Sequence, residues 1–150
     1  MDTDKCSIEN FRYIMKELDG LYSLFIKACK LSYAEYWSLF LVSEGECTYQ
    51  HEIGETLFMS KQTVNSALKQ LVKKGLVQLK LSEENQRLKT IELTDKGKKF
   101  AEKYVKGLNK SEEYAWNELS KDEQNMLLKL ETKFKIKFES SIKSELNKNI

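Results

Sequence analysis

Proline is absent from the chain, so no helix meets an internal breaker and no turn is preset by a pyrrolidine ring. Histidine occurs once, at His51, and the three cysteines, Cys6, Cys29 and Cys47, are odd in number and far apart. That pattern argues against a disulfide framework and gives no metal-ligand spacing, so reduced thiols and no metal or other cofactor are expected. Apolar runs are short. Residues 39–42 form one of the longest, far below the roughly 20 residues that span a bilayer, and the acidic start lacks the basic-then-apolar order of a signal peptide. A cytoplasmic protein with no membrane partner is expected. The six glycines are isolated, so no phosphate-cradling loop exists, and neither H-E-x-x-H nor G-x-S-x-G occurs. No residue qualifies as catalytic, and an enzyme is not expected. Arginine is scarce too: Arg12 and Arg87 stand among 25 basic residues.

Charge is present in quantity, and it is unevenly placed. Hydrophobic residues make up 41% of the chain and charged residues 32%, which suits a folded protein with a large solvated surface. The formal net charge of +2 divides into −5 over residues 1–59, +8 over 60–110 and −1 over 111–150. A basic block between acidic and neutral flanks is what a protein needs when one face meets phosphates and the rest must not. A lysine-rich solvated surface would give the same count, so the block has to be placed on structure.

Hydrophobic periodicity supplies that placement. Phe11, Ile14, Met15, Leu18, Leu21, Tyr22 and Phe25 recur at intervals of three and four, predicting a long amphipathic helix over 8–30 that Gly20 weakens locally. Ser32 with Glu35 makes a capping box for a second helix, which runs through Trp37 and Phe40 to about Ser43 and is ended by Gly45. Thr48 is the expected cap of a short helix reaching Leu57, and Ser60 caps another that Gly75 stops after Lys74. Residues 76–81 alternate, with Val77, Leu79 and Leu81 on one side, and 90–94 alternate likewise across a polar run, predicting a hairpin. Thr94 then caps a helix continuing through Phe100, Ala101, Tyr104, Val105 and Leu108 towards Trp116. Ser120 and Glu123 open a last one carrying Met126, Leu127, Leu130, Phe134, Phe138 and Ile142.

The helix after Ser60 is the informative one. At about 100° per residue, Val64, Ala67, Leu68 and Leu71 fall on one side and must face a core. Gln62, Asn65, Ser66, Lys69 and Lys73 fall opposite. Amide, hydroxyl and ammonium groups on one face can bond base edges and phosphates in a major groove. Any amphipathic surface helix has a polar face, but this one follows a short capped helix and precedes a hairpin. The hairpin loop holds Asn85, Gln86, Arg87 and Lys89, and a guanidinium at such a tip suits a narrow minor groove.

These residues resemble the MarR family of bacterial transcriptional regulators. The likeness is strongest over 48–97, in SKQTVNSALKQLVKKGLV at 60–77 and ENQRLKTIELTDKG at 84–97, whose TDKG is similar to the T-x-K-G that follows the family's second wing strand. The resemblance implies a mainly α fold with a small β-hairpin, a single domain over 1–150. Its winged helix-turn-helix would cover 32–94, flanked by long dimerisation helices at 8–30 and 95–146. It implies a homodimer bound to double-stranded DNA at a pseudo-palindromic operator. Expected DNA contacts are Ser60, Lys61, Gln62, Thr63, Asn65, Ser66, Lys69 and Lys73 of the recognition helix, with Arg87 and Lys89 of the wing. Where family wings often carry an acid and a first arginine, this chain has Asn85 and Gln86. Phe58 stands where many such turns carry glycine or a small residue, predicting a looser or better packed turn.

The resemblance also implies a pocket for a small aromatic effector near Tyr36, Trp37 and Phe40, against which stands the plain alternative that aromatics at helical spacing are core. Two other functions compete with a ligand-controlled regulator. Some relatives sense peroxide through a cysteine of the first helix, yet Cys6 precedes that helix, Cys29 sits near its end, and none of the three cysteines has an activating basic or tyrosine pattern beside it. A winged helix can also serve as a protein-interaction module, which the basic block disfavours.

Overall fold

The computed structural model describes residues 6–81 and 89–148. The chain divides after Leu108 into two compact units. The first begins with helices α1 (Ile8–Ala28), α2 (Tyr33–Ser43), α3 (Gln50–Thr56) and α4 (Lys61–Lys73). Strands β1 (Val77–Leu81) and β2 (Lys89–Leu93) follow, then helix α5 (Asp95–Phe100) and a π-helical turn, Ala101–Val105. Helices α6 (Lys106–Asn117) and α7 (Lys121–Lys148) complete the chain.

Local hydrogen bonding explains where the helices start. Ser32 Oγ accepts the Glu35 N–H at 3.2 Å while Glu35 Oε2 accepts the Ser32 N–H at 2.7 Å, closing the expected box. Ser60 accepts from Thr63 N–H at 3.1 Å, and Thr94 from Gly97 N–H at 3.0 Å. Gly45 and Gly75 take positive φ, 75° and 69°, just past the ends of α2 and α4, the conformation that stops a helix. Helix α1 ends earlier than 30, because Lys30 itself turns left-handed with φ of 58°.

One expectation is corrected, and two elements carry detail that periodicity did not give. Thr48 does not cap α3; Tyr49 holds that position, and the Glu52 carboxylate reaches back to accept both the Thr48 and Tyr49 N–H groups at 2.7 Å. The Thr48 carbonyl instead accepts the Ile91 N–H at 2.9 Å, and Tyr49 bridges to Thr90, so this stretch lies along β2 as a third, minimal strand. On β1 only Val77 is buried, whereas Leu79 and Leu81 are exposed, because the hairpin runs out beyond the core that covers its base. The helix after Thr94 is interrupted by the wider π turn, where the Tyr36 hydroxyl donates to the Tyr104 carbonyl at 3.4 Å.

Tyr36, Leu39, Ile53, Val64, Leu71 and Val77 form the most deeply buried part of the core, to which α2, α3, α4 and β1 all contribute. The antiparallel pair β1 and β2 is registered Val77 to Leu93 and Leu79 to Ile91, which places Ile91 inward. Helix α1 adds mainly Ile26 to this core, and its Phe11, Ile14, Met15, Leu18 and Leu21 are exposed. In the second unit, the Gln124 amide holds the turn before α7 by donating to the carbonyls of Trp116 at 2.8 Å and Leu119 at 3.2 Å. The expected box between Ser120 and Glu123 forms there. Along α7, Met126, Leu127, Leu130, Phe134, Phe138 and Ile142 all lie exposed.

Candidate nucleic-acid interface

Helix α4 divides as its sequence predicts. Val64, Ala67, Leu68 and Leu71 are buried, and Gln62, Asn65, Ser66, Lys69 and Lys73 are exposed with Ser60, Lys61 and Thr63. Burying four apolar side chains stabilises the helix's seat by roughly 1.5 to 3 kcal/mol for each large one. The polar face is thereby presented on a rigid support. Ser60 and Thr63 spend part of their hydrogen-bonding capacity on each other, their hydroxyls lying 2.8 Å apart, so they fix the start of the helix. Lys61, Lys69 and Lys73 form no ion pair among the described residues, leaving three ammonium groups along one exposed surface.

A cavity of about 640 Å³ opens beside the first turn of α4. Tyr49 lines it from the cap of α3, Gln50 and His51 from α3, Lys61 from α4 and Lys89 from β2. The Tyr49 and His51 rings stack with centroids 5.8 Å apart, and Gln50 Nε2 donates to the Lys61 carbonyl at 3.3 Å, tying α3 to the start of α4. Two sequence-predicted cations, Lys61 and Lys89, are thus brought to one concavity, together with Tyr49 and Gln50, which periodicity alone did not single out. The remaining wing residue, Arg87, lies outside the described residues.

The turn between α3 and α4 is tight. Phe58 adopts φ of 53° and is 97% exposed, so the expectation of a looser or better packed turn is corrected. Hydrogen bonds from Met59 N–H to the Gly54 carbonyl at 3.0 Å and from Leu57 N–H to Ile53 at 2.9 Å hold the backbone there regardless of the side chain.

The MarR family model matches residues 31–88. Over that winged-helix segment this chain is similar to the MarR family. The organic hydroperoxide resistance transcriptional regulator of Bacillus subtilis is 31% identical over 90 residues, a match spanning 60% of this chain and 61% of that relative. Among solved structures, a MarR family regulator from Neisseria meningitidis superposes with a TM-score of 0.76, at 19% identity, over 92% of this chain and 97% of its own. The S. aureus MepR–DNA complex gives 0.69 at 22% identity, over 85% and 94%. A MarR family transcriptional regulator from Listeria monocytogenes complexed with 26mer DNA gives 0.71 at 23% identity, over 91% of each chain. At these identities the structures establish the winged-helix fold. The relatives so named are transcriptional regulators rather than enzymes, in keeping with the missing catalytic motifs.

The Thr94-to-Gly97 motif has a physical reason here. Thr94 donates its hydroxyl to the Gly75 carbonyl at 2.6 Å, Lys96 Nζ reaches the Lys74 carbonyl at 2.6 Å, and Gly97 is buried against Leu76. The motif therefore closes the base of the β1–β2 hairpin onto the end of α4. Of the aromatic trio, Tyr36 is fully buried, packed edge-on to Phe25 and Trp37, while Trp37 and Phe40 are half-buried. The Trp37 indole N–H is buried with no acceptor among the described residues. Burial raises the Cys29 and Cys47 thiols above their ordinary pKa, which opposes thiolate formation.

Proposed function

We propose that this protein is a cytoplasmic, sequence-specific double-stranded DNA-binding regulator of transcription that works as a homodimer on a pseudo-palindromic operator. The observation carrying the reading is the exposed face of α4, where Asn65 and Gln62 alternate with Lys69 and Lys73 above a buried apolar face. Side-chain amides read base edges and the ammonium groups neutralise phosphates. The DNA complexes of MepR and the Listeria protein support it by kinship of fold. In this reading residues 32–94 are the DNA-binding part, and 8–30 and 95–146 the dimerisation helices. Exposed apolar stripes on α1 and α7 support a partner copy as their cover.

The test is duplex selection from fragmented genomic DNA followed by a salt series. Binding should enrich inverted repeats with half-sites about 10 bp apart, and log affinity should fall linearly with log salt. No duplex binding at low salt would sink the proposal. Dimerisation is checked separately: Phe134→Asp with Phe138→Asp should sediment as a folded monomer, and a persisting dimer would remove α7 from the interface. A small aromatic acid is proposed as effector near Tyr36, Trp37 and Phe40, with the buried Trp37 N–H as a donor for its carboxylate. Calorimetry with phenolic acids should give heat and weaker operator binding, and neither would occur if the cluster were core alone.

A further inference from the structure

The C-terminal end of α4 is held by a contact that base and phosphate recognition does not use. Lys74 follows the last residue of the helix, and its ammonium lies 2.7 Å from Glu35 Oε2 and 3.2 Å from the Lys30 carbonyl. The same Glu35 oxygen accepts the Ser32 N–H at 2.7 Å. One carboxylate oxygen thus joins the cap of α2 to the cap of α4, at the corner where Lys30 turns left-handed and α1 ends. The Lys74 carbonyl in turn accepts from Lys96, which fastens the start of α5 to the same point.

This ion pair differs in kind from the others. The remaining five pairs among the described residues join side chains that are all 43% or more exposed, where solvent leaves little net attraction. Glu35 is 7% exposed at its side chain, and its lysine comes from 39 residues away. Removing Lys74 would leave a buried carboxylate facing no cation, a far larger loss than a surface pair represents. The neighbouring Lys73 is exposed on the polar face of α4, so two adjacent lysines have separate tasks.

We propose that Lys74 and Glu35 form a positioning strut that fixes α4 against the α1–α2 corner and so sets the separation of the two recognition helices in the dimer. The pair determines which half-site spacing is accepted, without touching DNA. This rests on the DNA-binding dimer proposed above. Neither residue is a base or phosphate contact.

The experiment uses the full chain with Glu35→Gln, Lys74→Met, the double variant and Lys74→Arg. Glu35→Gln keeps an oxygen for the Ser32 N–H, so the α2 cap survives while the charge is lost. Nitroxide labels at Lys69→Cys, with the exposed Cys6 changed to Ser, report the distance between the two recognition helices without DNA. Operators with half-sites one base pair nearer or farther report spacing preference. The label distances should broaden in Lys74→Met and in the double variant, and discrimination between spacings should fall roughly fivefold. The salt slope should stay unchanged, and Lys74→Arg should restore both readouts. A salt slope flattened by about one unit with spacing preference intact would make Lys74 a phosphate contact and overturn the proposal. So would a lowered melting temperature with distances and spacing preference unaltered. If the unaltered chain binds no duplex, the DNA reading falls, and the label distances alone still decide the strut. A monomeric chain overturns both.

Discussion

Gly97 lies so close beneath Leu76 that a β-carbon there would overlap the Leu76 carbonyl oxygen and come within 2.9 Å of its carbonyl carbon. The obstacle is backbone, which cannot rotate aside as a side-chain tip can. Gly97→Ala should therefore cost about 3 kcal/mol or prevent folding, because α5 would be pushed off the base of the wing. Gly20→Ala, at an open site on α1, should instead stabilise by roughly 0.5 to 1 kcal/mol. Urea unfolding followed by circular dichroism distinguishes them. Equal midpoints for the two variants would contradict the close approach.

Glu52 gives the start of α3 a dependence on pH. Its carboxylate accepts the Tyr49 and Thr48 N–H groups, and these bonds hold its pKa below the ordinary 4.5. A depressed folded value means that the stabilisation is present above the ordinary value and is lost as pH falls through the depressed one. Glu52→Gln keeps an acceptor oxygen without the charge. At neutral pH it should cost about half a kcal/mol, allowing for solvent screening. Thermal unfolding of the two proteins should converge on acidification below that range; a gap that persisted in acid would assign the effect to something other than this carboxylate.

Base reading and phosphate binding should separate along α4. Asn65→Ala removes an amide able to pair with adenine and should relax preference at one position per half-site, by roughly 1 to 3 kcal/mol. Lys73→Ala should weaken all sequences alike and flatten the salt slope by about one unit. Binding to a panel of base-substituted duplexes across a salt series measures both. Preference retained in Asn65→Ala and altered in Lys73→Ala would mean that the other part of the surface enters the groove.

Operator binding should be indifferent to organic hydroperoxides. Cys29 and Cys47 are buried, and their thiols are held in the protonated form that reacts poorly. Cys6 is exposed but precedes α1. Affinity measured before and after cumene hydroperoxide should not change. A loss of binding that a single Cys→Ser substitution prevents would reinstate the redox reading.

What the sequence made legible was governed by spacing within a few residues. The caps at Ser32, Ser60, Thr94 and Ser120 and the two faces of α4 follow from local spacing, and each is found. What stayed hidden is non-local. Thr48 carries a good capping side chain, but its backbone is taken by Ile91, some 40 residues later, and Glu52 supplies the cap instead. The alternation of Leu79 and Leu81 gave the strand but not how far the core extends beneath it. The pairing of Glu35 with Lys74 has no periodic signature. Phe58 is the converse case, where a residue disfavoured in the left-handed region accepts it because the flanking helices fix the turn.

The apolar row along α7 also constrains how two copies could meet. Met126, Leu130, Phe134, Phe138, Ile142 and Leu146 follow one another at intervals of four, all exposed, with the Phe134 and Phe138 rings stacked 5.6 Å apart. At about 100° per residue each step advances some 40° around the helix, so the row winds through roughly half a turn instead of running straight. A heptad seam would let a partner lie alongside in a coiled coil; a row of fours is inclined by about 26° to the axis. A partner helix that followed this row would therefore have to cross α7 obliquely.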